Sequence, residues 1–164
     1  MINYLKEAHT MANPPISEQQ ALEQLNRYTH IIETAPRDST EFFDATKAYN
    51  QLLHPTINIR DLVFLGKNLD HSMTNTELAK LIIAARNDQD LSDVLDINED
   101  ARVAYKFKHL RQAKHMTQQE VAAKSKNYTQ SQIAQAELGQ LSLSPSRWQA
   151  LFETLGMTAH FVIA

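Results

Sequence analysis

The chain has 164 residues, enough for one ordinary domain or two small ones, and its net charge at pH 7 is −3. Its composition, 43% hydrophobic and 21% charged, is that of a globular protein, and the absence of cysteine excludes disulfides, thiolate zinc sites and cysteine nucleophiles. No apolar run approaches the roughly 20 residues that span a bilayer, and the N-terminus is too polar for a secretory signal, so we expect a cytoplasmic protein without membrane contact.

The first 97 residues predict an extended lead-in followed by helices. Capping residues that precede apolar residues at helical spacing mark three helix starts. These starts are Ser17, Ser39 and Thr74. The pattern over Ile57–Leu69 alternates like a strand at first and then spaces its leucines for a short helix, which we favour. A short helical turn is predicted around Leu91–Leu95.

The remaining residues predict four further helices and a terminal strand. The N-caps of these helices are Asn98, Thr117, Thr129 and Ser144. A break at Lys126–Asn127 separates two short helices, and we expect Asn127 to take the left-handed conformation there. Gly139 is placed to end the helix that follows the break. The last apolar run, His160–Ile163, predicts a short strand.

Acidic and basic residues are divided unevenly between these two parts. Up to residue 97 there are fourteen acidic and eight basic residues, whereas the remainder has five acidic and eight basic ones. A basic part beside an acidic part points to nucleic acid, although a solvated helix face also explains a run of lysines. The predicted segments are an extended lead-in over 1–16, an acidic helical domain for oligomerisation or partner binding over 17–97, and a basic domain over 98–164.

Two short helices joined by a tight break, between longer amphipathic helices, form a helix-turn-helix plan. At about 100° per residue, Ile133 and Ala136 face inward, while three glutamines and a serine occupy the other side with no carboxylate among them. An amide side chain offers a donor and an acceptor together to adenine in the major groove. We therefore assign base readout to this side of the helix. Its residues are Gln130, Ser131, Gln132 and Gln135.

Basic and amide side chains near the break are assigned to the phosphate backbone. Gln118 stands at the N-terminus of the first short helix, where amide side chains and backbone N–H groups contact phosphate. Lysine and arginine supply attraction that is independent of sequence and sensitive to salt. The predicted phosphate contacts are Arg111, Lys114, Gln118, Lys124, Lys126 and Thr129.

Residues from about Val103 to Gly156 resemble the lambda-repressor-like (Xre family) helix-turn-helix domain. The matching segments are Lys108–Arg111, Met116–Ala122, Thr129–Gly139, Pro145 and Leu155–Gly156. The resemblance implies that Gln130, Ser131 and Gln135 read bases, that Thr117 and Gln118 contact the DNA backbone, and that Glu137 and Gly139 close the recognition helix. Together with the helical pattern of the earlier residues, the resemblance predicts an all-α fold: an N-terminal helical bundle followed by a five-helix-type lambda-repressor-like domain with a short C-terminal β-strand. The break is one residue longer than usual and lacks the common glycine.

The end of the chain resembles that of antitoxins of the same family. In those proteins a run similar to Met157–Ile163 pairs with its copy in a dimer, and an apolar strand at a chain end needs such a partner to cover its edge. We therefore expect a homodimer on a palindromic operator, with half-sites about 34 Å apart.

The leading interpretation is a sequence-specific DNA-binding transcriptional regulator, a repressor, without catalysis or cofactor. One alternative is an antitoxin that represses its own operon and binds a toxin through the acidic domain. Another is a protein-binding adaptor that kept the helix-turn-helix shape without binding DNA. The seven histidines show no metal-ligand spacing and the carboxylates form no catalytic motif, so neither a metal site nor an enzyme is predicted.

Overall fold

The computed structural model describes residues 15–158, and this part of the chain contains eight α-helices, one 3₁₀ turn and no strand. The helices are α1 (Glu18–Thr34), α2 (Thr40–Leu53), α3 (Ile59–Lys67), α4 (Asn75–Arg86), α5 (Glu99–Ala113), α6 (Gln118–Ser125), α7 (Gln130–Glu137) and α8 (Pro145–Thr154). The 3₁₀ turn is Leu91–Asp93. The predicted all-α class is confirmed. The lead-in before Pro15 and the strand at His160–Ile163 lie outside the described residues.

Each helix start predicted from a capping residue is confirmed. Four of the caps are reciprocal, because the third helical residue returns a side-chain bond to the cap. These four are Ser17, Thr74, Thr117 and Thr129. Ser39 and Asn98 cap through the side chain alone, whereas Ser144 makes no side-chain cap bond and relies on Pro145 at the first helical position.

Residues 15–61 and Met73–Val94 form the first of two compact units. In it α1 packs against α2 and α4, and the contact buries one apolar stripe of each helix. The buried side chains include Leu25, Leu53, Leu81 and Ile82. At the start of α4 the amide of Asn75 donates to Asn26 Oδ1 at 2.9 Å and to Thr29 Oγ1 at 3.2 Å, which ties α4 to α1.

Leu62–Ser72 and residues 95–158 form the second unit. Its core is aromatic: the ring of Phe107 lies 5.6 Å from Trp148 and 5.4 Å from Phe152, centroid to centroid. Val121 and Ile133 complete the core from α6 and α7, and both are fully buried. All three aromatic side chains are buried.

The ambiguous segment over Ile57–Leu69 is helical, as we favoured, and forms α3. Its residues from Leu62 onward belong to the second compact unit, whereas the sequence placed them in the acidic N-terminal domain. The functional division into a partner-binding and a DNA-binding domain stays a prediction.

Candidate nucleic-acid interface

The two short helices predicted on either side of the break are α6 and α7, of eight residues each. The left-handed residue between them is Lys126, with φ of 60°, and not Asn127 as the sequence suggested. Lys126 directly follows the last residue of α6, and its N–H still bonds to Ala122 O at 3.2 Å. The chain therefore reverses its twist at the helix C-cap, one residue earlier than expected.

The α7 helix has one buried face and one exposed face. Ile133 and Ala136 are 0% and 1% exposed and lie in the core, which confirms their predicted inward orientation. All four side chains assigned to base readout are exposed. The helix thus exposes amide and hydroxyl groups on one face while its opposite face is packed in the core.

The four outward side chains differ in which of their hydrogen-bond donors and acceptors are already engaged within the protein. Gln132 closes the cap of α7, since its Oε1 accepts from the backbone N–H of Thr129 at 2.9 Å. Its NH₂ group alone is left for a base. Within residues 15–158 the side chains of Gln130, Ser131 and Gln135 make no hydrogen bond, so each glutamine keeps both donor and acceptor. These three are the stronger candidates for base readout.

A buried ion pair, not foreseen from the sequence, holds the domain together. Arg111 Nε donates to Glu137 Oε1 at 2.5 Å and Arg111 Nη2 donates to Glu137 Oε2 at 2.9 Å. Arg111 Nη1 also donates to the carbonyl oxygen of Met116 at 2.6 Å. The pair is bidentate and lies where Arg111 is 9% and Glu137 3% exposed.

This pair corrects the assignment of Arg111. All three nitrogens of its guanidinium are engaged inside the protein, so Arg111 has a structural role in this geometry and does not present its charge to phosphate. The sequence contains a signal for the burial of Glu137, but none for its partner. Ile133, Ala136 and Glu137 recur at helical spacing, so Glu137 falls on the inward face, where a carboxylate needs a buried cation.

Gln118 is positioned by the same glutamate. Its Nε2 donates to Glu137 Oε2 at 2.8 Å, and the side chain is half-buried at the start of α6. The second N–H of this amide and the backbone N–H groups in the first turn of α6 are the donors left for a phosphate oxygen, directly or through a bridging water. The structure thus brings Gln118 to the α7 side of the domain.

The N-terminus of α6 also holds a carboxylate. Glu120 accepts from the backbone N–H of Thr117 at 2.7 Å and from its hydroxyl at 2.8 Å. These two hydrogen bonds keep the pKa of Glu120 below its ordinary value, the backbone bond contributing most, and Lys124 adds a smaller attraction. The carboxylate is therefore ionised at neutral pH, and Lys124 partly offsets its charge towards DNA.

The remaining predicted phosphate contacts lie at the surface. Lys114, Lys124 and Lys126 are all exposed. The hydroxyl of Thr129 caps α7 and accepts from the N–H of Gln132 at 3.2 Å, so it is already engaged in a hydrogen bond within the protein. Phosphate contacts by these residues stay predictions.

Two other kinds of feature, a metal site and a membrane-spanning helix, are not found in the described part of the chain. Between residues 15 and 158 there is no group of three or more metal-ligating side chains. None of the helices found there is both long and apolar enough to cross a membrane.

Comparison with known families identifies the C-terminal part of the chain, which contains α6 and α7. Residues 107–162 match the family model described as "Helix-turn-helix", which corresponds to the lambda-repressor-like (Xre) type and begins within α5. No curated protein and no solved structure matches the chain. The match covers about a third of the chain, and within that third the resemblance is confirmed: this segment is a helix-turn-helix domain of a DNA-binding regulatory family rather than of an enzyme family.

Proposed function

Starting from that C-terminal domain, we propose that the protein is a transcriptional repressor that reads an operator in the major groove with α7. The observation that carries the proposal is the outward face of α7, where Gln130, Ser131 and Gln135 are exposed and have no hydrogen-bond partner within residues 15–158. Side chains held ready in this way gain base contacts without first breaking contacts within the protein. Because a repressor acts on DNA, a cytoplasmic location is part of the same proposal.

The chemistry of these side chains supports readout of adenine. A glutamine amide donates to N7 and accepts from N6–H₂ of the same adenine, and each such bidentate pair contributes about 1–3 kcal/mol of discrimination against a wrong base. The buried pair of Arg111 and Glu137 supports the same function indirectly, because it connects α5 and α6 to the last turn of α7. A recognition helix anchored at its C-terminal end keeps a constant angle to the groove.

Lysine side chains supply the affinity that does not depend on sequence. Lys114 follows α5, Lys124 lies in the last turn of α6, and Lys126 ends that helix. Each phosphate that such a cation neutralises adds about 0.9 to the slope of log K against log salt. Binding by this protein is therefore expected to weaken steeply as salt increases.

A homodimer on a palindromic operator is part of the proposal. Three large apolar side chains of the second unit are exposed, Val63 at 49%, Leu138 at 56% and Met157 at 41%. Exposed apolar side chains of this size are typical of contact surfaces. Sedimentation of a dimer at micromolar concentration, together with protection of two half-sites about 34 Å apart, would support this arrangement. A monomer with unaltered operator binding would contradict it.

Sequencing of genomic fragments retained by the purified protein at physiological salt tests the proposal. We expect a single enriched palindrome that contains adenines at fixed positions in each half-site. The double variant Gln130→Ala and Gln135→Ala should bind DNA but lose this enrichment, whereas Gln149→Ala on the exposed side of α8 should retain it. If the double variant enriches the same palindrome, base readout by α7 is contradicted. If the wild type enriches no sequence, the proposal of a sequence-specific repressor is contradicted.

An antitoxin role is the second candidate, and the surface of α2 favours it. Phe43 is 60% exposed and belongs to the part of the chain up to residue 97, where fourteen acidic residues outnumber eight basic ones. An exposed aromatic side chain in an acidic part of a protein suits a basic protein partner. If a small basic protein is encoded beside this gene, it should bind the wild type and lose affinity for Phe43→Asp. Equal affinity for both would remove this surface from the proposal.

A further inference from the structure

The exposed face of α7 continues beyond its polar side chains to one apolar side chain. Leu138 follows the last residue of α7, and its backbone N–H still bonds to Ala134 O at 3.1 Å. Its φ of −90° is within about 30° of the helical value, so its Cβ points nearly as it would in a continued helix. At about 100° per residue, Leu138 lies about 60° from Gln135 and about 20° from Ser131 around the helix axis.

The side chain of Leu138 lies outside the core of its unit. It is 56% exposed, whereas the apolar residues nearest to it in sequence are buried or packed against the core. These are Ala136 and Leu141. Gly139, with its left-handed φ of 68°, turns the chain directly after Leu138, and the N–H of Gln140 bonds back to Gln135 O at 2.8 Å. Leu138 is therefore the last side chain of the exposed face, and its backbone is fixed by a closed helix end.

The face that contains Leu138 is the one to which base readout is assigned. Its other exposed side chains include Gln130, Ser131 and Gln135, and no carboxylate is exposed among them. With a rise of about 1.5 Å per residue, Leu138 stands about 4.5 Å further along the helix axis than Gln135. Base pairs are stacked about 3.4 Å apart, so a helix that places Gln135 at a base edge brings Leu138 close to a neighbouring base pair.

The chemistry of the major groove restricts what a leucine can contact there. The base edges present hydrogen-bond donors and acceptors and one apolar group, the C5-methyl of thymine. A leucine side chain makes no hydrogen bond, but it gains free energy when it is removed from water against another apolar group. Contact with a polar base edge would instead remove that edge from water without a hydrogen bond in return. Thymine is therefore the base that suits Leu138.

We propose that Leu138 is a further specificity-determining residue, which contacts the C5-methyl of a thymine beside the base pair read by Gln135. The inference rests on the proposed reading of an operator by α7 and adds a preference for thymine to it. Leu138 is also one of the exposed apolar side chains from which we inferred a homodimer. Contact with a second copy is therefore the alternative that the experiment must separate.

Replacement of single operator thymines by uracil tests the proposal, because uracil pairs as thymine does and lacks only the 5-methyl group. We expect one thymine in each half-site at which the replacement raises the Kd of the wild type about fourfold, the loss expected for one buried methyl group. For Leu138→Ala, the Kd should be the same with thymine and with uracil at that position. Val63→Ala shortens another exposed apolar side chain of the same unit and should keep the fourfold ratio.

A conservative variant and a second measurement separate DNA contact from association of two copies. Leu138→Met retains an apolar side chain and should keep most of the ratio, and the fluorescence of Trp148 in the core should show that both Leu138 variants are folded. Sedimentation measures the association. Equal sensitivity to uracil in the wild type and Leu138→Ala at every thymine would overturn the proposal. A dimer that weakens in Leu138→Ala with no change in the ratio would overturn it as well.

Failure of this inference can be distinguished from failure of the proposed function. If the wild type selects no operator, both are overturned. If 7-deazaadenine, which lacks the N7 acceptor, weakens binding and uracil weakens it at no position, base readout by α7 stands and the role of Leu138 is overturned.

Discussion

Glu137 joins three parts of the helix-turn-helix domain through one carboxylate. It bonds Arg111 on α5 and Gln118 on α6, while Arg111 also bonds the carbonyl oxygen of Met116 between those helices. Because Glu137 is 3% exposed, its removal would leave the guanidinium of Arg111 buried without its counter-charge. Loss of one partner of a buried pair is far more costly than loss of a surface pair.

Replacement of Glu137 by alanine should therefore lower the free energy of unfolding by about 3–5 kcal/mol. Urea denaturation followed by the fluorescence of Trp148, the one tryptophan of the chain and part of the core of this unit, measures the change. Glu153→Ala removes an exposed carboxylate from α8 and should change the free energy by less than about 0.5 kcal/mol. A loss below about 1 kcal/mol for Glu137→Ala would show that the pair does not hold the domain.

At the scale of elements, two left-handed residues define where α6 and α7 end. Lys126 at the end of α6 has φ of 60° and Gly139 beyond α7 has φ of 68°. The left-handed region is unfavourable for a residue with a Cβ by about 1–2 kcal/mol, and glycine avoids this penalty. A Cβ added at Gly139 would meet no atom within 4 Å, so backbone strain alone decides the cost there.

Adding a Cβ at Gly139 and removing the Cβ at Lys126 should change the free energy of unfolding in opposite directions. Gly139→Ala should lower the free energy of unfolding by about 1 kcal/mol, and Lys126→Gly should raise it by up to about 1 kcal/mol. Trp148 fluorescence in urea measures both changes. Ala123→Gly, at an exposed position inside α6, should destabilise by about 1 kcal/mol, so a gain at Lys126 alone isolates the left-handed conformation. Equal losses for both glycine variants would contradict this account.

The helix starts could be predicted from the sequence, because a capping box is a contact over three residues. Ser17, Thr74 and Thr117 each bond the residue three positions later, and their spacing is visible in the sequence. The pairing of Arg111 with Glu137 spans 26 residues and depends on how α5 and α7 pack, which no local pattern contains. The position of the left-handed residue was missed for another reason: the propensity of asparagine for that conformation favoured Asn127, but the end of α6 determined that Lys126 adopts it.

At the scale of the whole molecule, basic residues outnumber acidic ones only in the second part of the chain, and the proposed attraction for DNA belongs to that part. The net negative charge of the first part does not oppose it over long distances at physiological salt, because charges are screened over about 8 Å. In the proposed regulator, the exposed lysines of the helix-turn-helix segment would supply the affinity that all DNA sequences share, and the outward side chains of α7 would supply the differences between sequences.

Lys114→Ala should weaken binding to operator and to random DNA by the same factor and reduce the slope of log K against log salt by about 1. Fluorescence anisotropy at several salt concentrations measures both quantities. Lys80→Ala removes an exposed lysine from α4, in the acidic unit, and should leave the slope unchanged. A selective loss for the operator would show that Lys114 reads bases rather than phosphate.

Substitution of single operator adenines by 7-deazaadenine tests most directly whether α7 reads the major groove, because it removes the N7 acceptor there and leaves base pairing intact. For the wild type, we predict that at least one adenine in each half-site loses about 1–3 kcal/mol of binding free energy on substitution. In the variant that lacks the glutamine contacting this adenine, either Gln130→Ala or Gln135→Ala, the same substitution should have no further effect on binding. Substitution by 3-deazaadenine, which is altered in the minor groove, should not change the binding of the wild type or of either variant. Uniform tolerance of 7-deazaadenine by the wild type, or equal losses in wild type and variants, would contradict readout by α7.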